Sequence, residues 1–285
     1  MTDRQKGILL IIGSAFSFAL MNVFVKAAGD LPSAQKSFFR NLIAMGVAAV
    51  VLMRNHQGLH FEKKAWPSLL ARSIFGTIGI LCNYYAVDHL LLADASAIQK
   101  LVPFITIVAS GIILKEKPGR FQVVLVILAF FCSLLVIKPS FANADLFASI
   151  IQVIGALGAG LAYTYVRKLT LMGVGKSQII FFFAAFSTLV ILPLVLMDYH
   201  PMSTQQLICL LLAGVMASAG QYTVTYAYSF APASQIAIFD YSQIIFSALF
   251  GFFIFAQVPD TLSFVGYILI VGLAVLNMKA GKKTA

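Results

Sequence analysis

The feature that most constrains this chain is a series of apolar runs, each about long enough to cross a lipid bilayer. A helix needs roughly 20 predominantly apolar residues to span the hydrocarbon core. Ten such runs lie at about 7–27, 36–53, 66–87, 94–114, 119–137, 147–166, 177–197, 206–229, 233–256 and 260–278. The runs lack the short segments of alternating polarity that a membrane β-barrel requires. We therefore predict an all-α polytopic membrane protein with ten transmembrane helices.

The composition agrees with this class and argues against an enzyme. Hydrophobic residues make up 60% of the chain and charged residues 11%, whereas soluble domains average about 45–50% and about 25%. The three cysteines, Cys82, Cys132 and Cys209, fall within predicted spans and have no metal-ligand spacing. No HExxH, GxSxG or P-loop motif occurs in the sequence. We therefore predict that the protein is not an enzyme and binds no metal or cofactor.

The basic residues predict how the chain is oriented. Most of the 20 Lys and Arg residues flank the predicted spans on one side of the membrane, and several aspartates flank them on the other. By the positive-inside rule, the basic side and both termini are cytoplasmic. Basic segments at this surface suit an anionic lipid leaflet, so the expected partners are the lipid bilayer and a small-molecule substrate, not nucleic acid. The predicted location is the cell membrane, as a multi-pass protein of a bacterial inner membrane.

The two halves of the chain are related by an internal repeat. A shift of 141 positions lays residues 85–138 on 226–279 without a gap, and the limits of the predicted spans coincide across it. The shift matches Tyr85 with Tyr226, Pro118 with Pro259 and Lys138 with Lys279. We therefore predict two five-helix repeats, at 7–138 and 147–279. Because each repeat holds an odd number of spans, the second is inverted in the bilayer, a construction that many secondary transporters use.

Two charged side chains, Lys100 and Asp240, lie deep inside predicted spans. An ionisable group at this depth costs about 2.5–3.5 kcal/mol on insertion scales, so it usually faces a polar cavity or a partner. The repeat aligns Gln99 with Asp240 and Lys100 with Tyr241. The two charges are therefore expected at the same level of equivalent helices, close to the membrane midplane. A midplane site between repeats is where such transporters bind substrate.

Further polar and aromatic residues are predicted to line the same site. Polar stripes at helical spacing follow the spans that carry the two charges and two other spans, and tyrosines within spans can stack on a ligand. Besides Lys100, Asp240, Gln99 and Tyr241, the predicted substrate-binding residues are Gln243, Asn83, Tyr85, Tyr222, Tyr226, Asn22 and Tyr163. We interpret Tyr228 as an interfacial anchor and Arg72 as a side chain that reaches the cytoplasmic headgroups. Pro103 predicts a kink that frees backbone carbonyls toward the site.

Three segments of the first half carry a family pattern. They are the first span with Asn22 and Lys26, the opening Phe39-Arg40-Asn41-Leu42 of the second span, and the end Leu114-Lys115-Glu116-Lys117-Pro118 of the fourth. With the plan of ten spans in two inverted halves, they resemble the EamA family of the drug/metabolite transporter superfamily. This resemblance implies export or exchange of small metabolites, often amino acids or related compounds, through a central cavity.

The second half departs from this pattern at two positions. Gln257 stands where Glu116 would repeat, and no arginine near position 181 echoes Arg40. We therefore expect Arg40 and Glu116 to serve structure or gating in one half, not symmetric contacts with a substrate.

The charged pair permits three roles. Lys100 can bind a substrate carboxylate while Asp240 binds an ammonium group, as for a zwitterion. Alternatively, Asp240 carries a proton, although a close lysine opposes this by favouring the ionised carboxylate. In the third role the two residues form a structural ion pair between the repeats.

The function that these patterns favour is transport. We predict a secondary transporter, an exporter or exchanger, of a small polar metabolite such as an amino acid or related amine, which works by alternating access around the midplane site. One alternative is a flippase for a lipid or lipid-linked sugar. An alternative of another class is a membrane receptor or assembly subunit.

Overall fold

The structure, a computed structural model, describes residues 1–56, 58, 61–90, 95, 98–137, 145–255 and 261–280. Within these residues the regular elements are helical. The α-helices are α1 (Asp3–Ala27), α2 (Ser33–Arg54), α3 (Trp66–His89), α4 (Val102–Ile113), α5 (Arg120–Ile137), α6 (Leu146–Leu171), α7 (Lys176–Met197), α8 (Thr204–Phe230), α9 (Ser242–Phe255) and α10 (Thr261–Ala280). A 3-10 segment, Lys63–Ala65, precedes α3, and a one-turn helix, Ala233–Ile236, and a 3-10 segment, Ala237–Tyr241, precede α9. Lys138, Gln257 and Pro259, which entered the sequence comparison of the halves, lie outside the described residues.

Seven helical segments of the described chain are long and apolar enough to cross a membrane. They are α1, α2, Lys63–Ala86, α6, α7, α8 and Ala233–Ile254. The other three helices, α4, α5 and α10, are shorter and also apolar. The prediction of an all-α polytopic membrane protein is confirmed for this part of the chain, while the count of ten spans, their repeat and their orientation remain predictions.

Side-chain caps set where three of the long helices begin. At α1, Thr2 Oγ1 accepts from the Gln5 N–H at 3.3 Å while Gln5 Oε1 accepts from the Thr2 N–H at 2.9 Å. Ser203 and Gln206 form the same reciprocal pair at α8, and the Asp145 carboxylate accepts from two N–H groups at the start of α6. Such caps satisfy donors that a helix N-terminus leaves unpaired. Local sequence therefore determines these three starts.

The helices pack in pairs that exchange when the two predicted repeats are exchanged. The most extensive contacts join α1 with α8 and α3 with α6, and α1 also packs on α9 as α6 packs on α4. Further large contacts join α2 with α7, α5 with α10 and α2 with α8. Glycines permit the closest approach, between α3 and α6, where a Cβ added at Gly158 would lie 2.7 Å from the Phe75 carbonyl oxygen. Small residues of this kind let the backbones of membrane helices touch.

The fourth and ninth predicted spans, 94–114 and 233–256, are not continuous helices. The chain leaves the α-helix at Lys100 and Leu101 before α4 begins, and it tightens into the 3-10 segment before α9 begins. At the first break, Pro103 lacks the N–H that would bond the Gln99 carbonyl. The prediction of uninterrupted helices is therefore wrong at these two places, and both breaks lie at the residues of the charged pair.

One end of the bundle collects many of the basic residues. Arg4 of α1 donates to the Asn277 carbonyl of α10 at 2.6 Å, and Lys6 lies 5.3 Å from the ring centroid of Phe230 at the end of α8. We call this region the basic end; its described residues include Arg4, Lys6, Arg167, Lys168 and Lys176. The start of the first helix and the end of the last therefore lie at the same end of the bundle.

The other end is joined by hydrogen bonds between different helix termini. Gln35, in the first turn of α2, exchanges two hydrogen bonds with the backbone of His200 after α7, at 2.9 and 3.0 Å. Gln206, in the first turn of α8, donates to the Ala28 carbonyl after α1 at 3.1 Å. These contacts tie the helix termini opposite the basic end to one another.

Candidate functional site

Lys100 lies at the break before α4 and contacts residues at the break before α9. Its Nζ donates to Gln243 Oε1 at 2.9 Å and lies 3.7 Å from Asp240 Oδ2. The Lys100 side chain is 7% exposed, whereas that of Asp240 is 27% exposed. The structure therefore brings three of the predicted residues together, with the cation enclosed and the carboxylate partly accessible.

Tyr241 connects the two helix breaks. It is fully buried, and its hydroxyl donates to the Lys100 carbonyl oxygen at 3.0 Å. This bond joins a backbone carbonyl at the break before α4 to a side chain at the break before α9. Tyr241 and Lys100 are also equivalent positions under the 141-residue shift, so two repeat-equivalent residues touch. The Tyr241 hydroxyl is thus engaged with the protein backbone.

Gln152 of α6 anchors the neighbouring predicted residues Gln99 and Asn83. It is fully buried, and its Nε2 lies 2.9 Å from Gln99 Oε1, 3.0 Å from Asn83 Oδ1 and 3.0 Å from the Ala95 carbonyl oxygen. Sequence reasoning missed Gln152, although it is a lone amide in an otherwise apolar stretch of α6. A buried amide needs hydrogen-bond partners. A single amide within an apolar helix was therefore the sequence signal that could have identified Gln152.

Two tyrosines lie in or against the core cluster that contains Tyr241. The ring of Tyr163 of α6 lies 5.5 Å from that of Tyr228, centroid to centroid. Tyr228 is buried. The interpretation of Tyr228 as an interfacial anchor is therefore wrong, because its side chain points into the bundle although its position is near a span end.

Arg72 of α3 is buried and does not reach the membrane surface. Its side chain is enclosed, its Nη2 donates to Gln221 Oε1 of α8 at 3.2 Å, and its guanidinium carbon lies 3.9 Å from the ring centroid of Phe183. The prediction that it extends to the cytoplasmic headgroups is wrong. Gly76, one turn further along α3, makes this geometry possible, because a Cβ there would collide with the Arg72 side chain and lie 2.7 Å from the Phe183 ring.

Arg40 of α2 is the second buried arginine. It donates from Nη1 to Asn41 Oδ1 at 3.3 Å. The role in structure or gating that the sequence predicts for Arg40 remains a prediction.

Within the described residues, the other four predicted residues have no hydrogen bond or ring contact with Lys100 or Asp240. Tyr85 stacks on His89 near the end of α3, with ring centroids 4.0 Å apart. Tyr226 is exposed beneath Lys176 of the basic end, with Nζ 4.6 Å from the ring centroid. Tyr222 lies one turn before Tyr226 on α8, and Asn22 is exposed on α1. Hydrogen bonds and the ion pair link six of the eleven predicted residues to one another or to Gln152 around the helix breaks: Lys100, Asp240, Gln99, Tyr241, Gln243 and Asn83. Tyr163 packs against the core cluster that contains Tyr241.

A second ion pair lies near the basic end. Arg167 of α6 bonds Glu116 Oε1 through Nε at 3.0 Å. Its Nη1 donates to the carbonyls of Tyr228 and Ser229 at 3.0 and 3.3 Å. Arg167 therefore joins the loop after α4 to the end of α8, where Glu116 supports a helix-to-helix contact.

The central arrangement places an enclosed ammonium beside an accessible carboxylate and neutral amides, groups that can hold the two charged ends of a polar solute. Within the described residues, no group of three or more His, Cys, Asp and Glu side chains could hold a metal ion. The fold and site together define a helical membrane protein with a polar centre.

This chain belongs to the EamA-like transporter family, whose model matches residues 5–138 and again 146–278. The resemblance inferred from sequence is thereby confirmed. A solved crystal structure shares the fold, with a TM-score of 0.85 and 13% sequence identity over 98% of this chain and 99% of that one.

Similar proteins extend over nearly the whole chain. The pseudopaline exporter CntI of Pseudomonas aeruginosa is 33% identical over 282 residues, which cover 98% of each protein. The riboflavin transporter of Vibrio cholerae is 26% identical over 273 residues, which cover 93% of this chain and 90% of that protein. The chain is therefore a multi-pass membrane transporter of a small molecule, in a family whose similar members are named as transporters and not as enzymes.

Proposed function

We propose that the protein is a secondary transporter that exports or exchanges a small polar metabolite, such as an amino acid or related amine. The observation that carries this proposal is the contact of Lys100 with Gln243 and Asp240 between two broken helices. Broken helices near the membrane midplane are where many secondary transporters bind substrate, because their unwound backbone and side chains line a cavity. The relatives support transport of small molecules, and one of them is named as an exporter.

Alternating access follows from two inverted repeats, at 7–138 and 147–279. Three observations support this part of the proposal. The largest helix contacts exchange under the 141-residue shift, the family model matches each half, and both helix breaks lie at equivalent positions. In addition, Tyr241 touches its own equivalent, Lys100. Under a two-fold relation, a residue meets its equivalent only near the axis, so the axis passes through the charged site.

The basic end faces the cytoplasm in this proposal. The start of α1 and the end of α10 meet there, as they must if an even number of spans carries both termini to one side. Its Lys and Arg residues follow the positive-inside rule. The bacterial relatives favour the inner membrane of a bacterium as the location.

Among the roles of the charged pair, zwitterion recognition has the best support. Gln243 is the closer partner of Lys100, and Asp240 keeps a longer distance and an accessible carboxylate. Lys100 can then bind a carboxylate of the substrate while Asp240 accepts hydrogen bonds from its ammonium group. A proton-carrying Asp240 fits less well, because the adjacent cation favours the ionised carboxylate.

Counterflow into proteoliposomes tests the proposal. Vesicles with the purified protein are preloaded with unlabelled amino acids or amines, and entry of the same labelled compound is measured with and without a pH gradient. We expect saturable exchange that does not need the gradient, and none in vesicles without protein. Exchange that requires the gradient would contradict the zwitterion model.

The same vesicles test the alternatives. Movement of a fluorescent phospholipid between leaflets without any solute exchange would indicate a flippase. Failure to move either kind of molecule, in protein that is folded by thermal unfolding, would favour a receptor or assembly subunit.

A further inference from the structure

We propose that the side chains of Asn83, Gln99 and Gln152, together with the Ala95 carbonyl, form a binding site for a small monovalent cation beside the break before α4. We call these four groups the amide cluster. The cation is either a free ion such as Na⁺ or a primary ammonium group of the transported solute. In the second case the inference rests on the proposed transport function, and the test separates the two sources.

The first argument is the number of oxygens around one nitrogen. Gln152 Nε2 lies 2.9 Å from Gln99 Oε1, 3.0 Å from Asn83 Oδ1 and 3.0 Å from the Ala95 carbonyl oxygen. A side-chain amide nitrogen carries only two hydrogens, so the three oxygens compete for them. The same distances fit an ammonium nitrogen, which carries three hydrogens. Three oxygens therefore point at one place that suits a positive charge.

The second argument is an unused acceptor on the same side chain. Gln152 is 0% exposed, and its Oε1 has no hydrogen-bond partner in the described part of the chain. Buried polar atoms are normally paired, so an unpaired oxygen here indicates a missing partner. Rotation of the Gln152 amide about its last torsion exchanges Nε2 with Oε1 and brings four oxygens together. A cation between the four oxygens makes that arrangement favourable.

The third argument is that helix packing holds these oxygens in place. The helices α3 and α6 cross closely, because a Cβ added at Gly155 would lie only 2.8 Å from Cys82 Cβ, next to Asn83. Ala95 is buried in one core cluster with Ala148 of α6. The ligands therefore lie on tightly packed segments, and ligands that are held in position before binding favour a specific site.

The charge and the accessibility of the amide cluster set the class of ligand. All four ligands are neutral, and because the charge of the ligands tunes the affinity for cations, neutral oxygens suit one positive charge better than two. Broken helices of membrane transporters commonly present unwound carbonyls to such ions. Asn83 and Gln99 are partly exposed, which gives a cation access. The prediction that no metal ion binds relied on motifs of other residue types, which a site of neutral oxygens lacks.

Thermal unfolding of the purified full-length protein tests the site. The chloride salts of Na⁺ and methylammonium are each titrated against choline chloride, which keeps the ionic strength constant and is bulky and without N–H donors. We expect Na⁺, methylammonium or both to raise the unfolding temperature of the wild type saturably, relative to choline. An effect of Na⁺ alone identifies a free ion, and an effect of methylammonium alone identifies an amine of the solute. A wild type that neither cation stabilises would overturn the site.

Gln152→Glu separates a binding role from a structural one. Glutamate keeps the length of the side chain, adds a negative charge and removes the N–H donors. If the oxygens bind a cation, the variant should bind it about tenfold or more tightly, because a charged ligand attracts a cation more strongly than a neutral one. If Gln152 serves only as a hydrogen-bond donor, the variant unfolds at a lower temperature in every salt, and neither cation reverses the loss. That result would assign the amide cluster to structure and overturn the proposal.

Gln99→Leu tests the site without adding charge. It removes one oxygen ligand and leaves Gln152 in place, so affinity for the stabilising cation should fall about tenfold. Gln205→Leu and Gln205→Glu, at an exposed glutamine of α8, are the matched controls and should bind like the wild type. Equal affinity in Gln99→Leu and the wild type would also overturn the proposal, whatever the stability of the variant.

The outcomes distinguish this site from the transport proposal. Cation binding is measured on protein in detergent, so a positive result stands even if vesicles exchange no solute. Conversely, vesicles that exchange amino acids or amines, together with a wild type that neither cation stabilises, leave the transport proposal intact and overturn the cation site.

Discussion

Two ion pairs, Lys100–Asp240 and Arg167–Glu116, differ in how closely the cation contacts its carboxylate and in which other groups it bonds. Arg167 holds Glu116 at 3.0 Å and also bonds two backbone carbonyls. Lys100 instead gives its short contact, 2.9 Å, to the neutral Gln243 and stays 3.7 Å from Asp240. A pair in which the cation bonds both a carboxylate and two backbone carbonyls stabilises one arrangement of helices, whereas a loose pair keeps bonding capacity for a solute. We infer that the difference separates a structural contact from a binding site.

The strongest test of this difference is Lys100→Gln, which removes the central cation. We expect counterflow to fall about hundredfold or more, because truncating one member of a buried charge pair costs about 2–5 kcal/mol of binding. The unfolding temperature should change little, since the loose pair contributes little to stability. Lys64→Gln, at an exposed lysine, is the matched control and should transport normally.

Exchanging the two charges distinguishes binding from packing at the same site. The double variant Lys100→Asp with Asp240→Lys keeps an ion pair but reverses it. Recovery of transport in this variant would show that only the pair matters, and our assignment of Lys100 to the substrate would be wrong. We expect no recovery.

The next largest effect is expected at the Arg167–Glu116 pair. Arg167→Gln leaves Glu116 without its cation and two backbone carbonyls without a donor. Because both side chains are partly exposed, at 11% and 21%, we expect a loss of about 2–3 kcal/mol in the free energy of unfolding, below the cost for a fully buried pair. Denaturant or thermal unfolding measures this loss, and transport per folded molecule should be largely retained. A larger effect on transport than on stability would place Glu116 in gating.

A smaller effect should come from Gln152→Leu, which changes no charge. It removes the donor shared by Gln99, Asn83 and the Ala95 carbonyl, and each unsatisfied buried acceptor costs about 1–3 kcal/mol. We expect transport to fall about three- to tenfold because the break before α4 is less well positioned. Gln205→Leu, the same substitution at an exposed glutamine of α8, serves as the control. Unchanged transport in Gln152→Leu would show that this network does not position Lys100.

The smallest effect is expected at an exposed pair. Lys6 and Asp3 lie 2.9 Å apart one turn into α1, and both are well exposed. Surface pairs contribute about 0–1 kcal/mol, so Asp3→Asn should alter neither transport nor unfolding measurably. A clear loss of stability would mean that distance alone, and not burial, decides how much these pairs contribute.

Much of the site was predictable wherever a side chain is costly in hydrocarbon. Lys100 and Asp240 stand out in apolar runs, and the repeat placed them at one level. Gln243 and Gln99 followed from helical spacing. The same reasoning failed for Arg72 and Tyr228, because a residue near a span end can reach the surface or turn inward, and sequence position does not distinguish the two.

The residues near the charged pair also show what spacing cannot decide. Tyr85, Tyr222 and Tyr226 were predicted to line the site because they lie within or near spans, yet they stand apart from it. Gln152 was missed, although it contacts two predicted residues. Which face of a helix meets the centre depends on how its neighbours pack, and tyrosines suit several environments equally well.

By itself the sequence determined that the chain lies in a lipid bilayer, that it is helical, which family it belongs to, and which two charges lie within its spans. Each follows from a large free-energy term that acts locally: burial of apolar runs in lipid, or the cost of a charge within them. Only the tertiary structure decided where the helices break, that Tyr241 binds the Lys100 carbonyl, and that Arg40 and Arg72 lie inside the bundle. These features depend on contacts between helices far apart in the chain, where small differences in rotation choose among faces of similar polarity.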